Sequence, residues 1–401
     1  MNNLNINVND NLYQITEKYP AVISVLTNKG FNQLDNEKKR KDFGSKISLK
    51  QAAALKNIDL AKLVELMESA VRENSQNNSQ SETIRVAGSL PCPVKNPLTE
   101  ELEKIRGEID YNLELDLKSA SQGLEWLKNG FEDIESEAEL FDIFISAGFD
   151  LFFDRDLMDR FRRQDVFADA TGIEKLNSDF EEQNIDLLDP EGDYSVLSIV
   201  PAVFLVNEEE LNGRDIPRSW EEVMSEKFAN SVSLPVSDFD LFNAILLNIY
   251  KSYGKEGVRK LGRSMQKAQH PSQMIKEGGR KAQNQAAVTI MPYFFTRMAK
   301  RFPHMQFIWP EDGAVISPIF MLSKKQKKQK LKKIIDLMAS EKIGRILSEQ
   351  GLFPSVLAGI DNNLPQNAKF MWPGWKFLRE ENPGQLLKEL EAEFNNAVGV
   401  V

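Results

Sequence analysis

The residues best placed to do chemistry are few. Cys92 is the only cysteine, held between two prolines in Gly88-Ser89-Leu90-Pro91-Cys92-Pro93. Proline fixes φ on both sides of the thiol. A helix is expected just after, and its N-terminal dipole favours a thiolate or an anion. The segment follows an apolar strand, so Leu90, Pro91 and Cys92 read as ligand contacts, with a sulfur suited to a soft metal or its chelate. The competing reading of Cys92 is a small buried hydrophobe. Ser146-Ala147-Gly148 follows a second strand. It offers a hydroxyl and backbone N–H groups to a polar ligand, or an ordinary helix cap. Ser237-Asp238-Phe239-Asp240 opens a helix. Two aspartates there would repel an anion and favour a cationic, metal-bearing or neutral ligand; alternatively, one of them is only an N-cap. His270, in a Gln-His-Pro-Ser-Gln turn, reads as a ligand contact or as a structural histidine. In Met291-Pro292-Tyr293-Phe294-Phe295, Pro292 and Tyr293 would wall a flat organic ligand, or join an aromatic core. Trp309, Glu311 and Asp312 would close over a cation, or lie as surface groups.

No phosphate-cradling loop, nucleophile elbow or H-E-x-x-H pair is present, and no catalytic set stands out. The expectation is a binding protein without a cofactor and not an enzyme. One thiol permits no intrachain disulfide and no Cys-cluster metal site, and two histidines make no His-rich one. The net charge of −10 argues against a nucleic-acid binder and against adhesion to an anionic membrane. No apolar run approaches the roughly 20 residues that span a bilayer. The polar, Asn-rich start lacks a basic region followed by an apolar core. The expectation is therefore cytoplasmic, or exported if a leader precedes this sequence.

A chain of 401 residues suits two or three cores. Residues 1–72 read as a small helical domain. Asp10 is expected to cap the first helix and Tyr19-Pro20 to end it; Ala21 to Asn28 form the second, stopped by Gly30. Ser48 with Gln51 is a capping-box pattern, and Asp59 opens a helix with Leu60, Leu63, Val64, Met67 and Val71 at helical spacing. Asn36 to Lys41 reads as a solvated loop, and residues 73–83 as a flexible polar linker. From 84 onward strands alternate with helices, which implies an α/β domain of mainly parallel sheets. Strands are expected at Ile84–Ala87, Ile143–Ser146, Val196–Val206 (broken by Pro201), Val232–Leu234, Ala287–Ile290 and Val315–Leu322. Helices are expected at about Pro97–Glu108, through Leu157 and Phe161, at Leu241–Tyr250, and over most of 324–401. The basic run 324–333 reads as the solvated side of an amphipathic helix.

Four segments carry a resemblance. They are Ser219-Trp220-Glu221-Glu222-Val223-Met224 with Lys227-Phe228 and Ser231 to Pro235, then Phe307 to Pro318, Leu331 to Gln350, and Gly351 to Ser355. In order and spacing they resemble the extracellular solute-binding proteins of ABC transporters, in the type II group of iron(III), thiamine and polyamine binders. The resemblance implies a two-lobed periplasmic-binding-protein fold closing by hinge bending over a small-molecule or metal ligand, with an ABC transporter permease as partner. Lobe one would be 84–197 with 307–401 and lobe two 207–300, with crossovers near Val196–Val206 and Val315–Met321. Anion-binding relatives carry Ser, Thr and Gly where Asp238 and Asp240 stand, so a metal, a metal chelate or an organic cation is favoured. Iron-binding relatives use paired tyrosines near Tyr293, where this chain has one tyrosine beside Phe294 and Phe295. Ile15 to Leu34 resembles a small helical domain found ahead of hybrid-cluster and iron–sulfur repair proteins, which implies docking to a redox-associated partner. The cysteines often found after its glycine are absent here: Gly30 is followed by Phe31, Asn32, Gln33 and Leu34. A sensor, a metal-delivery factor or an enzyme using Cys92 is the alternative.

Overall fold

The computed structural model describes residues 6–77, 82–120, 126, 134, 136–149, 152–162, 165–236, 239–268, 285–299 and 301–399. The chain divides into two compact units, Met1–Thr83 with Asp110–Asn112, and Ile84–Ile109 with Leu113–Val401.

The first unit is helical. Its helices are α1 (Leu12–Lys18), α2 (Val22–Asn28), α3 (Glu37–Gly44), α4 (Leu49–Leu55) and α5 (Leu60–Asn77). Leu12, Ile15, Val22, Leu26, Phe31, Leu34, Leu49, Leu63 and Met67 form its core. The caps follow side-chain chemistry. Ser48 and Gln51 make the expected reciprocal box, and Asp59 accepts from the N–H groups of Ala61 and Lys62. The cap of α1 is Asn11 rather than Asp10, because Gln14 returns its side chain to the Asn11 N–H. Residues 36–41 are not a loop. Asn36 caps α3 through the Lys39 N–H, and the charges lie along its exposed side. The expected linker also starts too early, since α5 runs to Asn77 and strand β1 begins at Thr83. Once a helix is nucleated, Ser, Gln and Asn extend it at small cost. Phe31 and Leu34, where chemistry after Gly30 would sit, are core residues.

The second unit is built on one ten-stranded sheet, in the order β2-β1-β3-β9-β4-β7-β5-β6, with β10 beside β9 and β8 beside β4. The strands are β1 (Thr83–Leu90), β2 (Asn112–Ser119), β3 (Ile143–Ala147), β4 (Ser195–Asn207), β5 (Val232–Leu234), β6 (Met265–Ala268), β7 (Val288–Pro292), β8 (Met305–Ile308), β9 (Ala314–Ser323) and β10 (Phe370–Met371). Parallel pairs β1–β3 in one half and β5–β7 in the other carry the strand-to-helix loops. Between them β4 and β9 run antiparallel, and every residue of both is buried. They occupy the two apolar runs where crossovers between lobes are expected.

Pro201 does not break β4. On its outer edge β4 leaves the Pro354–Val356 segment at Ile199 and meets β7 at Ala202, so at Pro201 no ladder partner on that edge is lost. Strand β2 was missed, although Leu113, Leu115 and Leu117 alternate with Glu114, Asp116 and Lys118 in the pattern of a half-buried edge strand. The gap between the strand expected to end at Ala87 and the helix expected from about Pro97 is shorter: β1 continues to Leu90, and helix α6 (Cys92–Lys104) starts five residues before Pro97. Pro91 at the N-cap and Pro93 in the first turn suit a helix start, where an N–H is dispensable.

Helix α7 (Arg155–Arg162) follows β3, and helix α8 (Phe239–Ser264) follows β5. The C-terminal segment adds α9 (Lys328–Met338), α10 (Glu341–Arg345), α11 (Trp375–Glu380) and α12 (Pro383–Ala397). Ser219 caps the helical turn Trp220–Val223. The buried Trp220 donates its Nε1–H to the Gly313 carbonyl at 2.9 Å, and its backbone N–H to Asp312 Oδ2 at 2.8 Å. Two of the motif segments that carry the resemblance are therefore clasped together. The basic run is mostly solvated as expected, but Lys324 is buried, with its ammonium 3.2 Å from the buried Asp142 carboxylate.

Candidate functional site

In a sheet of this kind ligands settle beyond the carboxyl ends of the parallel strands. The ends of β1 and β3 lie side by side, with Ser89 in register with Ser146 on one face. Leu90, Pro91, Ser146 and Ala147 are buried. Cys92 is exposed, not a buried hydrophobe, and its Sγ lies 2.8 Å from Ser119 Oγ on β2. Ser89 is fully buried, and its Oγ has no hydrogen-bond partner among the described residues. The first turn of α6 offers an anion little. Pro93 has no N–H, and those of Val94 and Lys95 both donate to the Pro91 carbonyl. An exposed thiol should react. We expect one equivalent of a disulfide reagent to titrate Cys92 in the folded protein, and a ligand seated on this loop to slow that reaction at least severalfold. A thiol that reacts only after unfolding would remove Cys92 from the surface of the site.

The second half of the sheet contributes Pro292 and Tyr293 at the end of β7. Both are buried. The Tyr293 ring meets Trp309 edge-on at 5.2 Å and Phe307 at 5.6 Å. Its hydroxyl reaches the Asn363 carbonyl at 3.4 Å, and burial raises its pKa. Tyr293 thus lies in an aromatic cluster, which Trp309 shares while donating its Nε1–H to the Lys369 carbonyl. Glu311 is exposed, and its carboxylate lies 3.8 Å from the Arg218 guanidinium. Asp312 is a strut between the Trp220 N–H and the Tyr253 hydroxyl, and burial raises its pKa. Asp238, His270 and the side chain of Phe239 lie outside the described residues.

The two halves meet at points the sequence did not signal. Gly148, after β3, has φ +90°, and a Cβ there would stand 2.7 Å from Asp240 Oδ1 and 3.0 Å from Asp240 Cα on α8. On the other flank, Gly351 packs against Val94 of α6, so closely that a Cβ would fall 2.7 Å from Val94 Cγ1. Phe353 beside it meets Phe294 edge-on at 5.3 Å, and Arg297 donates to the carbonyls of Gln350 and Glu349. Among the described residues no group of three or more His, Cys, Asp or Glu could hold a metal ion. A depression of about 320 Å³ lined by Ala339, Glu341, Leu357, Ala358, Gly359 and Ile360 lies on the C-terminal segment, away from the strand ends. No helix of the described residues is long and apolar enough to cross a membrane.

Comparison with known proteins agrees with this geometry. A family described as bacterial extracellular solute-binding protein matches residues 138–381, and a domain of unknown function, DUF1858, matches residues 6–64. No curated protein matches the chain. Among solved structures, the apo ferric ion-binding protein A of Pasteurella haemolytica superposes with a TM-score of 0.57 at 14% identity, covering 80% of this chain and 100% of its own. A periplasmic binding protein, P5PA, gives 0.55 at 12% identity, covering 79% and 100%. A Trichodesmium protein in complex with iron and citrate gives 0.54 at 12%, covering 79% and 99%.

Proposed function

The chain belongs to the bacterial extracellular solute-binding protein family, and from that premise we propose that it closes two lobes over a small organic cation or a metal chelate and presents it to an ABC-transporter permease. The observation that carries the reading is the pair of long buried strands, β4 and β9, which lie between two half-sheets, with Gly148 after β3 close to Asp240 on α8. Bending at those strands would part or join the strand-end loops without disturbing either half. The lobes in this reading are 84–197 with 307–401, and 207–300.

Three features bear on the ligand. The first turn of α6 has little N–H capacity for an oxyanion. Asp240 stands at the meeting point of the halves. The described residues supply no donor cluster for a bare ion, and Tyr293 has Phe294 and Phe295 beside it instead of a second phenol. A chelate that brings its own donors suits such a site better than a bare ion does. The structural neighbour in complex with iron and citrate gives the chelate reading its support. Leu90, Pro91, Cys92, Ser146 and Ala147 would be contacts from lobe one, with Pro292 and Tyr293 as the wall in lobe two. Membership of an extracellular family favours a protein that meets its ligand outside the cytoplasm, over the location expected from the polar N-terminus. The comparisons lend no support to a redox-associated partner for the helical unit.

A thermal-shift series with ferric citrate, spermidine, thiamine and inorganic phosphate tests this. A ligand at a hundred times its Kd stabilises the folded state by about 2.7 kcal/mol. We expect one of the first three to raise the melting temperature by several degrees and phosphate to leave it unchanged. Stabilisation by phosphate alone would overturn the ligand class.

A further inference from the structure

The contact between Arg297 and the segment Ile346–Ser355 joins the two lobes in an unusual way. Ile346–Gln350 is a π-turn continuing α10, and π-turns are rare outside functional segments. Leu352 follows with φ +50°, a left-handed conformation that a bulky side chain seldom adopts. Observed strain of this sort persists only where its surroundings hold it. The surroundings are visible on both sides.

Toward lobe one the segment is fastened by backbone. The Ile199 N–H donates to the Pro354 carbonyl at 3.0 Å, and the Val356 N–H to the Leu197 carbonyl at 3.2 Å. Gly351 packs on Val94. Toward lobe two it meets the residues that follow β7. Leu352 packs in the cluster of Tyr293 and Phe294, and Phe353 meets Phe294. Arg297 Nη1 donates to the Gln350 carbonyl at 3.2 Å, and Nη2 to the Glu349 carbonyl at 2.5 Å. The last carbonyls of a helical segment have no partner within it and carry its negative pole, so a guanidinium is the natural cap. Here that cap is supplied from the opposite lobe.

We propose that Arg297 and the strained Ile346–Ser355 segment form a closure latch: the carbonyls of Glu349 and Gln350 receive their charged partner only when the lobes meet, and lose it to water when they part. The proposal rests on the two-lobed reading above and adds the group that sets the balance between the two arrangements. It makes lobe closure a property of the ligand-free protein, so that a ligand need supply only part of the closing free energy.

The test measures inter-lobe distance in the full, ligand-free chain. Spin labels at Asn96→Cys and Glu209→Cys, in a Cys92→Ser background, report one lobe each. We expect the unmodified latch to give a dominant short distance. Arg297→Gln should lower the short-to-long ratio roughly tenfold, a change of about 1.4 kcal/mol. Arg297→Lys, which keeps the charge but not the paired donors, should fall between, and Arg263→Gln, a lobe-two arginine paired with Glu256 of the same lobe, should leave the distribution unchanged. If Arg297→Gln, with an unaltered melting profile, keeps the wild-type distribution while that distribution shows two arrangements, the latch is wrong and the two-lobed reading stands. A single distance in every variant, with and without a ligand that still raises the melting temperature of the Cys92→Ser background, would count against both.

Discussion

Asp142→Ala should lower stability by about 3–5 kcal/mol, because it strands a buried ammonium. Asp142 stands where β3 begins, and its side chain is 1% exposed. One carboxylate oxygen accepts from the Arg85 N–H of β1 at 2.9 Å; the other lies 3.2 Å from Lys324 Nζ and 2.9 Å from Lys327 Nζ at the end of β9. Lys327 can swing into water, since its side chain is 28% exposed. Lys324, at 5%, cannot, and would keep only the Leu140 carbonyl at 2.8 Å. Burial already lowers the Lys324 pKa, with Asp142 opposing that shift. Without Asp142 the folded pKa falls further below 10.5, so the unfolded chain binds more protons between the two values. Stability of the variant should therefore rise as the pH climbs through that window. Replacing both partners by apolar residues of similar volume, Asp142→Leu with Lys324→Met, should recover most of the loss. Denaturant unfolding at several pH values reads all three outcomes, and a single variant within about 1 kcal/mol of the parent would show that Lys324 finds water.

Gly148→Val should abolish lobe closure and ligand-induced stabilisation. Two effects add at this position. A β-branched residue at φ +90° pays for a left-handed backbone, on the order of 1–2 kcal/mol or more. Its Cβ would also stand 2.9 Å from Asp240 Cβ and 3.0 Å from its Cα, and backbone cannot turn aside as a side-chain tip can. The lobes must then part. Gly172→Val separates the two effects, since Gly172 has φ +71° with nothing within 4 Å of a Cβ. That variant should lose stability and keep its thermal response to whichever ligand the series identifies. Equal behaviour of the two variants would mean that the approach of Gly148 to Asp240 plays no part in closing.

Much of this architecture is legible in the residues. Capping boxes, apolar spacing and the buried runs at 195–207 and 314–323 are local signals, and they locate four of the helical-unit helices and both long buried strands. The resemblance segments turn out to be structural fasteners: Trp220 is tied to Gly313, and Gly351 to Val94. That explains why they identify a fold more readily than a ligand. The ends of β1 and β3 were likewise readable, because a strand followed by a tight turn and a helix places its own loop. Errors fell where local propensity was weak or overruled. Charged residues 37–41 extend a helix that Asn36 caps, and Pro201 stays in a strand because its outer edge has no partner to lose.

By itself the sequence determined the α/β plan with its helical N-terminal unit, the two long buried strands, and the placing of Leu90–Cys92 and Ser146–Ala147 at neighbouring strand ends. These depend on interactions within a few residues, or on the period of apolar side chains. Only the tertiary structure decided the rest. It set Tyr293 in an aromatic cluster, placed Glu311 beside Arg218, buried Lys324 against Asp142, and set Arg297 on carbonyls that lie more than fifty residues away in the chain. A guanidinium carries no local sign of which distant carbonyl it will cap. That partner is chosen when two half-sheets, each folded by its own pattern, are brought together.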